Sequence, residues 1–104
     1  MARYGTETTL PPRRVLRLAR EYFGPAGEVG LTLTKDTLSE IGFAGAGGGV
    51  EVQARPRPGD PQQTDVTILS REFDHWAVQF LHHLAAAQRG PSLIARLRQR
   101  FTKG

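Results

Sequence analysis

The order in which hydrophobic periodicities succeed one another constrains this chain more than any single motif. A proline-started amphipathic helix comes first, then a block of short alternating strands, then a long helix carrying the only tryptophan, Trp76, and last a basic amphipathic tail. Strands bracketed by helices must bury one face of a sheet under at least one of those helices. The expected architecture is therefore α+β: an antiparallel sheet of about five strands, an early helix, a long closing helix across the sheet and a basic C-terminal helix. At 104 residues the chain suits one domain, with limited interior volume for a cavity.

The pattern places a strand over Gly5 to Leu10, stopped by Pro11-Pro12, whose missing N–H groups are tolerated in a first helical turn. The helix that follows runs to about Phe23, with Val15, Leu16, Ala19, Tyr22 and Phe23 on one arc and Arg13, Arg17 and Arg20 opposite. Val29, Leu31 and Leu33 alternate with polar residues, and Lys35-Asp36 reads as the tight connection into a second strand over Thr37 to Phe43. After the glycine run Gly45 to Gly49, Val50, Val52 and Ala54 mark another strand. The stretch Arg55 to Pro61 is expected as an unpaired loop because of its prolines, and Thr64 to Arg71 as the last strand. The long helix begins near Arg71 or Glu72 and is expected to end at Gly90-Pro91. Phe73, Trp76, Ala77, Phe80, Leu84 and Ala87 form its main apolar stripe, and Val78, Leu81 and Ala85 a second one nearly opposite.

Charge divides the chain unevenly. Residues 1–88 hold nine basic against ten acidic side chains, whereas residues 89–104 hold five basic side chains and no acid. This division sets a domain over residues 1–90 apart from a basic helix over residues 91–104. In that helix Leu97 and Phe101 lie on the apolar arc with Leu93 and Ile94, and Arg96 and Arg100 flank it. Arginines bordering an apolar stripe suit a protein partner or an anionic surface. Docking onto the domain's own second stripe, a homodimer or protein partner engaged through the long and C-terminal helices, and a membrane or nucleic-acid surface are the competing readings, the last two being the least favoured. An absence of cysteine excludes thiolate metal sites, disulfides and cysteine nucleophiles. No apolar run spans a bilayer and the N-terminus lacks a signal-peptide core, so a cytoplasmic protein is expected. Twelve arginines against two lysines, with abundant alanine and glycine, match GC-rich and thermophilic sources.

Two segments, Thr6-Glu7-Thr8-Thr9-Leu10-Pro11-Pro12-Arg13-Arg14-Val15 and the closing unit Asp65 to Leu84, resemble the helix-grip domains of the START and Bet v 1-like superfamily in layout. The resemblance implies apolar ligands held between sheet and closing helix. This chain is shorter than that family's pattern, with five expected strands in place of seven and no second short helix after the first.

No metal or cofactor is expected: His75, His82 and His83 lack the i, i+3 or i+4 spacing that converges imidazoles on one ion. The glycine run precedes a strand and not a helix, so it reads as a hairpin loop and not a phosphate cradle. The leading functional expectation is a nonenzymatic small binding or interaction module, with a modest apolar site lined by Tyr22, Trp76, Phe80 and His83 between the long helix and the sheet. A cyclase- or dehydratase-like enzyme of helix-grip type is the alternative, and it requires a buried pair between His83 and a carboxylate such as Glu40. A nucleic-acid-associated protein requires Arg13, Arg17 and Arg20 to merge with the tail into one patch.

Overall fold

The computed structural model describes the backbone of residues 1–103 and the side chains of residues 1–88. Five strands, β1 (Ala2–Thr8), β2 (Thr32–Asp36), β3 (Glu40–Gly45), β4 (Gly48–Arg57) and β5 (Asp60–Arg71), form one antiparallel sheet in the order β1-β5-β4-β3-β2. Helix α1 (Pro12–Phe23) joins β1 to β2, and helix α2 (Asp74–Lys103) follows β5. Helix α2 continues past Gly90-Pro91, where the sequence predicts a break, so no interruption of the helix sets residues 91–104 apart; the surface expected on Arg96, Leu97, Arg100 and Phe101 concerns side chains outside the described ones.

Alternation of side chains assigns the two sheet faces. Val50, Val52 and Ala54 of β4, Val66 and Ile68 of β5, and Ile41 and Phe43 of β3 are buried under the helices. Glu40, Glu51, Gln53 and Arg55 take the other face, where Lys35 Nζ reaches Glu40 Oε2 at 2.9 Å and Glu51 Oε1 at 3.6 Å. This pairing holds the Glu40 carboxyl below its ordinary range, chiefly through the hydrogen bond from Lys35. Such an exposed pair adds little stability.

The two helices lie side by side on the apolar face. Helix α1 packs on β4 and β3, while α2 packs on β1 and β5. The closing helix therefore does not cover the sheet by itself: α1 buries Val15, Leu16, Leu18, Ala19, Tyr22 and Phe23, and α2 buries Ala77, Phe80 and Leu84. Phe23 and Phe80 are fully buried with ring centroids 5.2 Å apart, and Phe43 lies 5.6 Å from Phe23. Trp76, expected in the core, is half-buried at its edge.

Three local expectations are corrected. Strand β1 starts at Ala2 and stops at Thr8, because the Thr8 hydroxyl accepts the Leu10 N–H at 3.2 Å and the Thr64 hydroxyl donates to the Leu10 carbonyl at 2.7 Å. These bonds satisfy backbone groups that no longer have a ladder partner. The β2–β3 turn sits at Thr37-Leu38-Ser39 and not at Lys35-Asp36. Thr37 sets it: its hydroxyl accepts the N–H groups of Ser39 at 3.3 Å and Glu40 at 3.0 Å, and its own N–H donates to the Glu40 carbonyl at 2.8 Å.

The proline-rich stretch is the third correction, since it pairs. Pro56 opposes Thr64 and Arg57 opposes Asp60, across a turn whose Pro58 and Gly59 (φ 80°) fit the positions a type II turn assigns to proline and glycine. The Ala54 N–H points toward Ser39, so the nitrogen of Pro56, two residues on, points to the same side, beyond the end of β3. No ladder bond is lost there.

The glycine run likewise forms a tight hairpin, with Gly45 opposite Gly48 and Gly47 at φ 81°. A Cβ on Gly48 would meet the Arg71 carbonyl oxygen at 2.0 Å, because β4 approaches the β5–α2 corner where Glu72 takes φ 70°. Two expectations follow for chemical denaturation. Phe80→Ala should cost about 3 to 5 kcal/mol, the range for truncating a buried aromatic ring, and Trp76→Ala clearly less. Gly48→Ala should cost on the order of 1 to 3 kcal/mol through the forced backbone shift.

Candidate functional site

Helix α1 ends at Phe23, and the following loop returns along it. The Val29 N–H donates to the Tyr22 carbonyl at 3.1 Å and the Leu31 N–H to the Phe23 carbonyl at 2.7 Å. A side chain at Gly27 could not be accommodated, as its Cβ would lie 2.2 Å from the Glu21 carbonyl oxygen. The tight return places Glu28 beside the exposed flank of α2. Between them lies an open groove of about 620 Å³, lined by Tyr22 and Glu28 on one side and by His75, Trp76, Gln79, His82 and His83 on the other.

All four residues expected at an apolar site come together, with Tyr22 at their centre. Its ring lies 5.7 Å from Phe80, 6.4 Å from Trp76 and 5.6 Å from His83, the last at an interplanar angle of 29°. Phe80 is fully buried behind the groove and serves as its support. The groove runs along the outer margin where α1, its loop and α2 meet; beneath α2, Phe80, Leu84 and Ile68 fill the space against the sheet. His83 is exposed and not at a buried boundary. His75 and His82, also exposed, extend the imidazole-bearing rim.

One phenol of the groove, that of Tyr22, is perturbed. Burial raises the Tyr22 pKa above the ordinary tyrosine value, and the charge of Glu28 raises it further. Glu28 carries no periodic signal, because it sits in a Gly-Pro-rich loop outside any periodic segment. Its place depends on backbone bonds to α1.

The pair required for the enzyme reading is not assembled. Glu40 faces the opposite side of the sheet and engages Lys35 and Arg55, whereas the ring neighbours of His83 are Tyr22 and Phe80. Among the described residues, no group of three His, Asp or Glu side chains is placed to hold a metal ion, and no helix is long and apolar enough to cross a membrane. Arg13, Arg17 and Arg20 line one flank of α1, with Arg20 paired to Asp36. Their continuity with the tail concerns side chains outside the described residues.

No family model matches the chain, and no curated protein matches it. A similar solved structure is the crystal structure of DR_A0006 from Deinococcus radiodurans, with a TM-score of 0.53 and 17% identity over 84% of this chain and 95% of that one. At that identity the likeness concerns the α+β fold alone.

Proposed function

We propose that this chain is a trimmed helix-grip module that binds a flat apolar or aromatic small molecule, without catalysis, in the groove between the α1–β2 loop and α2. The observation that carries this reading is the ring cluster about Tyr22: three aromatic or imidazole side chains, Tyr22, Trp76 and His83, border one open concavity, and a fully buried Phe80 lies behind Tyr22 and His83. Binding sites of this kind combine apolar walls with a few polar anchors. Here Glu28, Gln79 and His75 supply the polar rim. The helix-grip assignment is supported by the element order, in which a strand and helix precede four consecutive antiparallel strands and a closing helix.

Placement at the margin follows from packing. A chain of this size needs its interior for cohesion, and Phe23, Phe43, Phe80 and Leu84 occupy the space where a larger relative of the fold could keep a cavity. A ligand therefore meets ring faces and edges at the surface.

Indole and 2-naphthol are suitable probes because both are neutral and flat, and Trp76 is the only tryptophan. Saturable shifts of the Tyr22, Trp76 and His83 resonances are expected, with affinity reduced in His83→Ala by the loss of one stacking partner, about 0.5 to 1.5 kcal/mol. Titration without saturable shifts at these residues overturns the proposal.

A pH titration tests the electrostatic part. The folded-state pKa of Tyr22 is raised above its unfolded value, so the stability it contributes is present below the ordinary tyrosine pKa and is lost as pH rises through the folded value. Glu28→Gln should bring the Tyr22 ionisation back toward the ordinary value in ultraviolet difference absorbance. An unchanged titration would mean that Glu28 does not face the phenol.

A further inference from the structure

The opposite flank of α1, away from α2, borders a second concavity that the aromatic groove does not explain. It occupies about 550 Å³ between α1 and the β2–β3 turn, within the size range of small-molecule sites. Leu16 and Ile41 line its apolar part, Arg13 and Arg17 line it from the helix, and Leu38 lines it from the turn. The ion pair between Arg20 and Asp36 ties the end of β2 to α1 and holds the two walls in place.

Charge and exposure define the chemistry that this cleft suits. Arg13, Arg14 and Arg17 make no ion pair among the described residues, and the only carboxylate lining the cleft, Asp36, is already engaged by Arg20. Uncompensated guanidinium groups converge along a helix, where positions i and i+4 lie on one face, and their planar forks match the oxygens of a phosphate. Leu38 is 93% exposed at the tip of the turn, held there by the Thr37 hydrogen bonds that define the turn. An apolar side chain fixed in water beside unpaired arginines suits a ligand that has both an anionic head and an apolar part.

We infer that the cleft between α1 and the β2–β3 turn binds an organic phosphate, with the phosphate on Arg13 and Arg17 and a short apolar group against Leu38, Leu16 and Ile41. The site is separate from the aromatic groove, and its occupancy does not depend on that groove being used. A concave site between two tied walls favours a single molecule over a flat bilayer surface. A free phosphate monoester and a phospholipid headgroup share the recognised chemistry, and the two can be told apart by experiment.

The test uses the full chain and hexyl phosphate, followed by two-dimensional NMR, with inorganic phosphate and hexanol as partial ligands and phosphatidylglycerol vesicles as the bilayer arm. Hexyl phosphate should shift Arg13, Arg17 and Leu38 saturably, more tightly than either partial ligand, and with affinity that falls as salt rises. Arg13→Gln with Arg17→Gln should weaken it by about tenfold or more, because charge-assisted contacts to the phosphate are lost. Leu38→Ser should weaken hexyl phosphate and leave inorganic phosphate unchanged, which separates the apolar wall from the charge. Each variant is compared at matched folded fraction from its amide spectrum, so loss of fold cannot imitate loss of site. The inference is overturned by hexyl phosphate binding undiminished in the double arginine variant, by the absence of saturable shifts at these residues, or by vesicle binding without hexyl phosphate binding.

Discussion

The contact on which this structure depends is the one between Phe23, at the end of α1, and Phe80, in the middle of α2. Both rings are fully excluded from water, and Phe43 extends the cluster onto the sheet. Neither helix alone spans the five strands: α1 covers β3 and β4, and α2 covers β1 and β5. The two-ring junction fastens those halves into one layer, joining apolar burial with a close, tilted ring contact. Where the layer meets water, the same cluster continues outward as Tyr22, Trp76 and His83.

This division of labour between helices explains why both concavities border α1. On the side toward α2, the loop after Phe23 bends back on backbone hydrogen bonds and leaves an aromatic groove. On the other side, the β2–β3 turn projects past the helix, and the space between them is lined by arginines and one exposed leucine. The grooves differ in chemistry because the helix wheel does: Tyr22 belongs to its apolar arc, and Arg13 and Arg17 to the polar flank. A single helix thus borders an aromatic groove and an arginine-lined cleft.

The order of elements was legible in the sequence because periodicity reports which side of a segment is buried, and the alternation in Val50 to Ala54 and the spacing of Phe73 to Leu84 are both regular. The aromatic cluster was legible for the same reason, since Tyr22, Trp76, Phe80 and His83 lie on the sides of their helices that face each other. The turn positions were not. Thr37 and Asp36 are both reasonable turn residues, and the choice between them was decided by hydrogen bonds to Ser39 and Glu40. The pairing of Pro56 is not legible either, because a proline blocks pairing only on the side its nitrogen faces, and whether a neighbour strand stands there depends on where β3 ends. Glu28 and Leu38 carry no periodic signal; their places follow from how two turns pack on α1.

A double-mutant cycle on Phe23→Leu and Phe80→Leu, followed by chemical denaturation, tests most directly whether the helices are fastened as described. If the rings share one packed junction, the two losses are not independent, and the coupling should reach about 0.5 kcal/mol or more, as for residues in contact. Additivity within about 0.3 kcal/mol, as for well-separated sites, would contradict the account and show that each helix packs on the sheet without the other.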